Sequence, residues 1–73
     1  MIKIDDIIPL LKKGYVAMDK NNSWWWYESK PFNDNYLCSW IACERTSIRQ
    51  VELDMFDIDP VEDWTKSLME VGK

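Results

Sequence analysis

The chain predicts an α+β fold: a three- to four-stranded antiparallel meander sheet flanked by a short N-terminal helix and a C-terminal helix. Three observations carry this. Ile4, Ile7, Ile8 and Leu11 recur at the i, i+3, i+4, i+7 spacing of one helical stripe. Tyr15-Val16-Ala17-Met18 and Trp24-Trp25-Trp26-Tyr27 are two runs of β-type composition, separated by the turn-forming Asp19-Lys20-Asn21-Asn22-Ser23. Near the end, Asp59-Pro60-Val61-Glu62 combines an N-cap acid, proline at the first helical position and glutamate at the third, followed by the apolar spacing Val61, Trp64, Leu68, Val71.

The first helix begins early, because Pro9 is tolerated only in a first turn, where amides have no internal acceptor. Asp5 or Asp6 is expected to cap it, and Lys12, Lys13 and Gly14 to end it. About two turns long, it must dock to persist. A hairpin follows. Ser29-Lys30-Pro31-Phe32-Asn33-Asp34-Asn35 reads as a loop, with Phe32 tucked onto the sheet. Tyr36 to Cys43 reads as a central strand, since neither of its alternating faces is cleanly polar. Ile48 to Leu53 adds a fourth strand with Val51 and Leu53 inward, although Leu53-Asp54-Met55-Phe56 also fits a single helical turn. Trp64 is expected to anchor the final helix to the sheet, with Gly72 as its stop.

Seventy-three residues make one domain, 1–73, near the lower size limit for a self-supporting core. Ten aromatics, five of them tryptophan, can each bury roughly 150–250 Å². That payload can stabilise a small fold without metal or disulfide. Cys38 and Cys43 would lie about 16 Å apart in one strand, far beyond bridging distance. Two thiols without histidine do not complete a zinc site. Reduced cysteines, no metal and no cofactor are therefore expected.

Charge is unevenly placed. Residues 1–36 hold five acids and five bases; residues 37–73 hold eight acids and four bases, so the net charge of −4 arises wholly in the second half. Phosphate-backbone binding needs the opposite balance. Six acids (Glu52, Asp54, Asp57, Asp59, Glu62 and Asp63) fall within twelve residues that contain no base. Capping accounts for Asp59 and Glu62, and the positive helix end for Asp63. Glu52, Asp54 and Asp57 are left over as candidates for steering toward a basic protein surface.

Alternation in Trp24–Tyr27 sends one pair of rings into a core and the other outward. If Trp24 and Trp26 join Val16 and Met18, then Trp25, Tyr27 and Tyr15 form an outward aromatic patch; the opposite assignment is nearly as favourable. Such rings anchor partners at little entropic cost. The candidate partner-binding residues are thus Tyr15, Trp25, Tyr27, Glu52, Asp54 and Asp57. No catalytic residue is assigned. The usual general base, histidine, is absent, and there is no glycine-rich phosphate loop. The start Met1-Ile2-Lys3-Ile4 lacks the apolar run of a signal peptide, and no stretch approaches the ~20 apolar residues that span a bilayer. A cytoplasmic protein is expected.

The first helix with its glycine stop, the Trp-Trp-Trp-Tyr strand and the closing Phe56-Asp57-Ile58-Asp59-Pro60-Val61-Glu62-Asp63-Trp64-Thr65-Lys66-Ser67-Leu68 together resemble small acidic phage and prophage proteins. The resemblance implies a setting in which inhibitors of host defence occur, anti-CRISPR proteins among them. It implies a non-enzymatic binder, acting in the host cytoplasm, that occludes a basic nucleic-acid-binding surface. Two further readings stand beside it. One is an assembly protein that homodimerises through the aromatic sheet face; the other is a carbohydrate- or peptide-binding module using the tryptophan platform.

Overall fold

The computed structural model describes residues 2–42 and 50–72. Cys43 and the start of the expected fourth strand, Ile48 and Arg49, lie outside the described residues. The fold is mostly sheet, with a short N-terminal helix. Helix α1 spans Ile4–Ile7 and tightens into a 3₁₀ turn over Ile8–Leu10. Proline at the second position of that turn removes an amide and ends the regular helix. The N-cap is Lys3, without a side-chain cap; Asp5 and Asp6 sit two and three positions further on, in the first turn. Ile4 and Ile7 are buried, as the stripe requires.

Strands β1 (Gly14–Met18) and β2 (Trp24–Tyr27) form the expected hairpin, pairing Tyr15 with Tyr27, Val16 with Trp26, Ala17 with Trp25 and Met18 with Trp24. Asn22 takes a φ of 71° in the connecting turn, a conformation asparagine adopts readily. Gly14 does not end a helix. It opens β1 because an added Cβ would overlap the carbonyl oxygen of Tyr27 and come within 2.8 Å of the Trp26 indole nitrogen.

The connections depart from a meander. Strands β3 (Pro31–Asp34) and β4 (Ser39–Ala42) form a separate two-stranded ribbon, and the main sheet has the order β5-β2-β1-β6, with β5 at Gln50–Glu52 and β6 at Met69–Val71. Expected loop residues therefore make a strand, with Pro31 at its first position, where a missing amide matters least. The expected central strand is shortened at its start. Tyr36–Cys38 become the ribbon's turn, in which the Asp34 carboxylate accepts from the amides of Tyr36 (2.9 Å) and Leu37 (3.1 Å). Cys38 takes a φ of 56° there. Among the described residues, β4 pairs with β3 alone.

The C-terminal helix is replaced by an extended crossing, one 3₁₀ turn at Trp64–Lys66 and strand β6. Competing hydrogen bonds explain this. Ile2 donates to Asp57 O and accepts from Asp59 N, both at 2.7 Å, and the Trp24 indole donates to Asp59 O at 3.2 Å. The Asp59 carbonyl, which would accept the first intrahelical bond, is taken by Trp24, and the bonds to Ile2 hold 57–59 extended as a bridge beside Ile2. Asp63, not Asp59, caps the short turn, accepting from the Thr65 amide at 3.0 Å and its hydroxyl at 2.6 Å. The chain then pairs with the free edge of β1, Val71 opposite Gly14 and Met69 opposite Val16. Val61 packs on one side of the sheet and Leu68 on the other, which a single helical stripe cannot do.

Two apolar layers result. On one face Val16, Met18, Trp24 and Trp26 pack with Ile4, Ile7, Leu53, Ile58 and Val71. On the other, Ala17 and Tyr27 pack with Trp40 of the ribbon, and Trp64 touches both layers. The buried Ser67 hydroxyl accepts from the Met18 amide at 2.8 Å and reaches Trp64 O at 2.7 Å, joining the C-terminal segment to the end of β1.

Two substitutions test this arrangement by chemical denaturation. Ser67→Ala strands a buried Met18 amide, with an expected cost of about 1–3 kcal/mol. Gly14→Ala forces a methyl group against β2, with an expected cost of about 1–3 kcal/mol from overpacking.

Candidate protein-docking surface

Alternation along β2 decides which rings are available. Trp24 and Trp26 face the helix-side core with Val16 and Met18, the first of the two assignments drawn from the sequence. The opposite face is not open, because the β3–β4 ribbon lies over it. Tyr27 is 0% exposed, and its hydroxyl donates to Trp40 O at 3.3 Å. It serves the core and is not a docking anchor. Tyr15 and Trp25 are half-buried beside the Trp40 cluster. An interface between copies built on this aromatic face would first have to displace the ribbon.

The ribbon is held largely through Trp40. Its amide donates to Asp19 Oδ1 at 2.9 Å, its indole donates to Trp64 O at 3.1 Å, and its ring meets Trp64 edge-on at 6.5 Å. The Lys20 amide adds a bond to Cys38 O at 3.3 Å. Burial pushes the Asp19 carboxyl above the ordinary 3.8, against the stabilising Trp40 amide. Burial, and secondarily the charge of Asp19, pushes the Tyr27 phenol upward as well. The Asp63 carboxyl is held below its usual value by its bonds to the Thr65 hydroxyl and amide.

The acidic candidates are brought together. Glu52, Asp54 and Asp57 line one cleft of about 200 Å³ with Asn22, Ser23 and Phe56, and Trp24 and Ile58 behind them. Glu52 ends β5 and is half-buried, whereas Asp54 and Asp57 are exposed. The amide of Leu53 donates to Trp24 O at 2.9 Å, and that of Phe56 to Leu53 O at 3.1 Å, so a tight turn follows the strand and groups the three acids. The described part of the expected strand is thus Gln50–Glu52, ending one residue before Leu53, and Leu53–Phe56 form a hydrogen-bonded turn in place of a helical one. Asp59, the capping candidate, is half-buried instead at the crossing with Ile2 and Trp24.

The apolar exterior lies elsewhere than expected. Leu53 is buried, but Val51, its neighbour on the same strand face, is exposed. Val51 joins Leu10, Leu11, Lys12, Trp26 and Leu53 around a groove of about 290 Å³. Leu10, one residue off the helical stripe, is 73% exposed. Phe32 is 47% exposed and does not fold down as a lid. Tyr36, at the ribbon turn, is 94% exposed, with Leu37 exposed beside it. Strand composition assigns these two to a strand, whereas the Asp34-Asn35 pair before them is a turn signal. No helix among the described residues is long and apolar enough to cross a membrane. Comparison with protein-family models, with curated proteins and with solved structures yields no match to this chain.

The Asp19 environment predicts a pH effect of definite sign. The folded state holds this proton more readily than the unfolded state, so the group's contribution to stability is largest below pH 3.8 and is lost as pH rises through the raised folded value. Asp19→Asn keeps an oxygen for the Trp40 amide and cannot ionise. Its stability relative to wild type should therefore increase as pH is raised from 3.8 toward neutrality, measured by urea unfolding at each pH. Asp19→Ala, which removes the acceptor, should cost about 1 kcal/mol.

Proposed function

We propose that this chain is a non-enzymatic protein-binding module whose acidic cleft docks on a basic surface of its partner. The observation that carries the reading is the convergence of Glu52, Asp54 and Asp57 on one cleft. Two of these acids are exposed, and the stretch from Glu52 to Asp63 has no cation to neutralise them. Met55, exposed beside them, supplies a flexible apolar contact of the kind found at binding surfaces. A basic side chain entering the cleft would meet carboxylates at its mouth and the Phe56 ring within. Charge of this kind chiefly raises the association rate and selects the partner.

Basic protein surfaces of the required extent are common where nucleic acid binds. The partner class that follows is a nucleic-acid-handling complex, which the chain would inhibit by occupying its groove. The resemblance to small acidic phage proteins makes a host defence complex the favoured instance. Tyr15 and Trp25 are retained only as half-buried contributors at the margin of the ribbon.

The test is capture of partners from bacterial lysate on the immobilised chain, compared with the Glu52→Gln, Asp54→Lys, Asp57→Lys variant. The expected result is retention of a basic protein that added nucleic acid displaces. Its affinity should fall by about tenfold or more, ~1.4 kcal/mol, in the variant. Equal retention by both chains, or indifference to nucleic acid, would refute the docking surface.

A further inference from the structure

Two apolar features remain outside the acidic cleft: the projecting tip of the ribbon and the groove beside Leu10. We propose that they are complementary and that the chain binds a second copy of itself, the Tyr36–Leu37 tip of one copy seated in the Leu10–Val51 groove of the next.

The tip is built to present side chains. Asp34 Oδ1 accepts from the amides of both Tyr36 and Leu37, which fixes the turn before any partner arrives. Tyr36 stands 94% exposed on it, so almost its whole ring is left to bury. A large ring on a fixed turn loses little freedom on binding, which is the character of an interface anchor. The groove is the matching half. Its volume of about 290 Å³ sits at the bottom of the roughly 300–1,000 Å³ typical of small-molecule sites, and suits one or two side chains better than a larger ligand. Its lining is apolar apart from Lys12.

Charge favours the pairing. Lys12 lines the groove and Lys13 follows it, with no acid between Ile7 and Asp19; residues 31–42, which make the ribbon, carry Asp34 and no base. In a chain of net charge −4, these two segments attract where most others repel.

Position excludes self-insertion. The groove lies where β1 begins, on the helix side of the sheet, marked by the Trp26 indole donating to Lys12 O at 3.0 Å. The tip lies at the opposite end, beside the β1–β2 turn and on the ribbon side, marked by the bond from the Lys20 amide to Cys38 O. A tip therefore reaches only another copy's groove. After pairing, one copy keeps an unused groove and the other an unused tip, so the contact is head-to-tail and grows into chains or closes into rings.

Light scattering and sedimentation across a micromolar-to-millimolar series test this. The wild-type average mass should rise with concentration to at least twice that of one chain, and less steeply in added salt. Tyr36→Ser/Leu37→Ser, with a blunted tip, and Leu10→Ser/Val51→Ser, with a blunted groove, should each remain single. Mixed, they retain one good tip and one good groove between them, so they should form one-to-one pairs that grow no further. Lys12→Glu leaves the apolar lining and the backbone acceptor of Trp26 in place, and should weaken association while the far-ultraviolet spectrum stays that of wild type. A wild-type chain that stays single throughout, a blunted-tip variant that associates like wild type, or a mixture that fails to pair would each overturn the proposal. Reversing Asp54 and Asp57 should leave self-association intact, which separates this contact from the acidic cleft.

Discussion

Strand β2 sets the terms for the rest of the molecule. Its four consecutive side chains are Trp24, Trp25, Trp26 and Tyr27, and a strand must divide them between two faces. In a small open antiparallel sheet one face usually meets solvent. That solution is closed here, because each ring left in water would forgo the burial of roughly 150–250 Å². The chain covers both faces, each with thin material. Helix α1 and the 53–61 crossing lie on one side, and a two-stranded ribbon lies on the other. The separation of the ribbon from the main sheet follows from this demand. The ribbon cannot both extend the sheet and cover it.

The indoles also hold the cover in place. Trp24 donates to Asp59 O, Trp26 to Lys12 O and Trp40 to Trp64 O. Each bond ties a backbone carbonyl of an irregular segment to a buried ring, satisfying two groups that would otherwise be costly to bury. Short, poorly periodic stretches thereby gain definite positions without long helices. The same arrangement explains why Trp64, expected to anchor a helix, instead bridges both layers from a single 3₁₀ turn.

Because both sheet faces are consumed by the core, the exposed acidic and apolar groups are left to the periphery. The acids gather at the turn after β5 with Met55 beside them, while Tyr36 and Leu37 stand at the ribbon tip and Leu10 and Val51 flank the groove. These are separate surfaces with different chemistry, one dominated by charge and one by apolar contact flanked by lysine. Trp25 and Tyr15, half-buried under the ribbon, belong to the architecture more than to either surface.

The sequence by itself determined what depends on neighbours along the chain. The β1–β2 hairpin was legible because alternation and an Asn-rich turn are local properties, and the Ile4–Leu11 stripe likewise marked the α1 region. The grouping of Glu52, Asp54 and Asp57 was half legible: their density was plain, while their convergence on one cleft needed the turn after β5. Only the tertiary structure decided the fate of 59–71 and 29–42. The capping signals at Asp59-Pro60-Val61-Glu62 are worth about 1 kcal/mol each. They lose to hydrogen bonds from Ile2 and Trp24 and to the open edge of β1, none of which is near in sequence. Tyr27 became core instead of surface for the same kind of reason. Alternation states that it faces away from Trp26, but what lies on that side is Trp40, thirteen residues further along the chain.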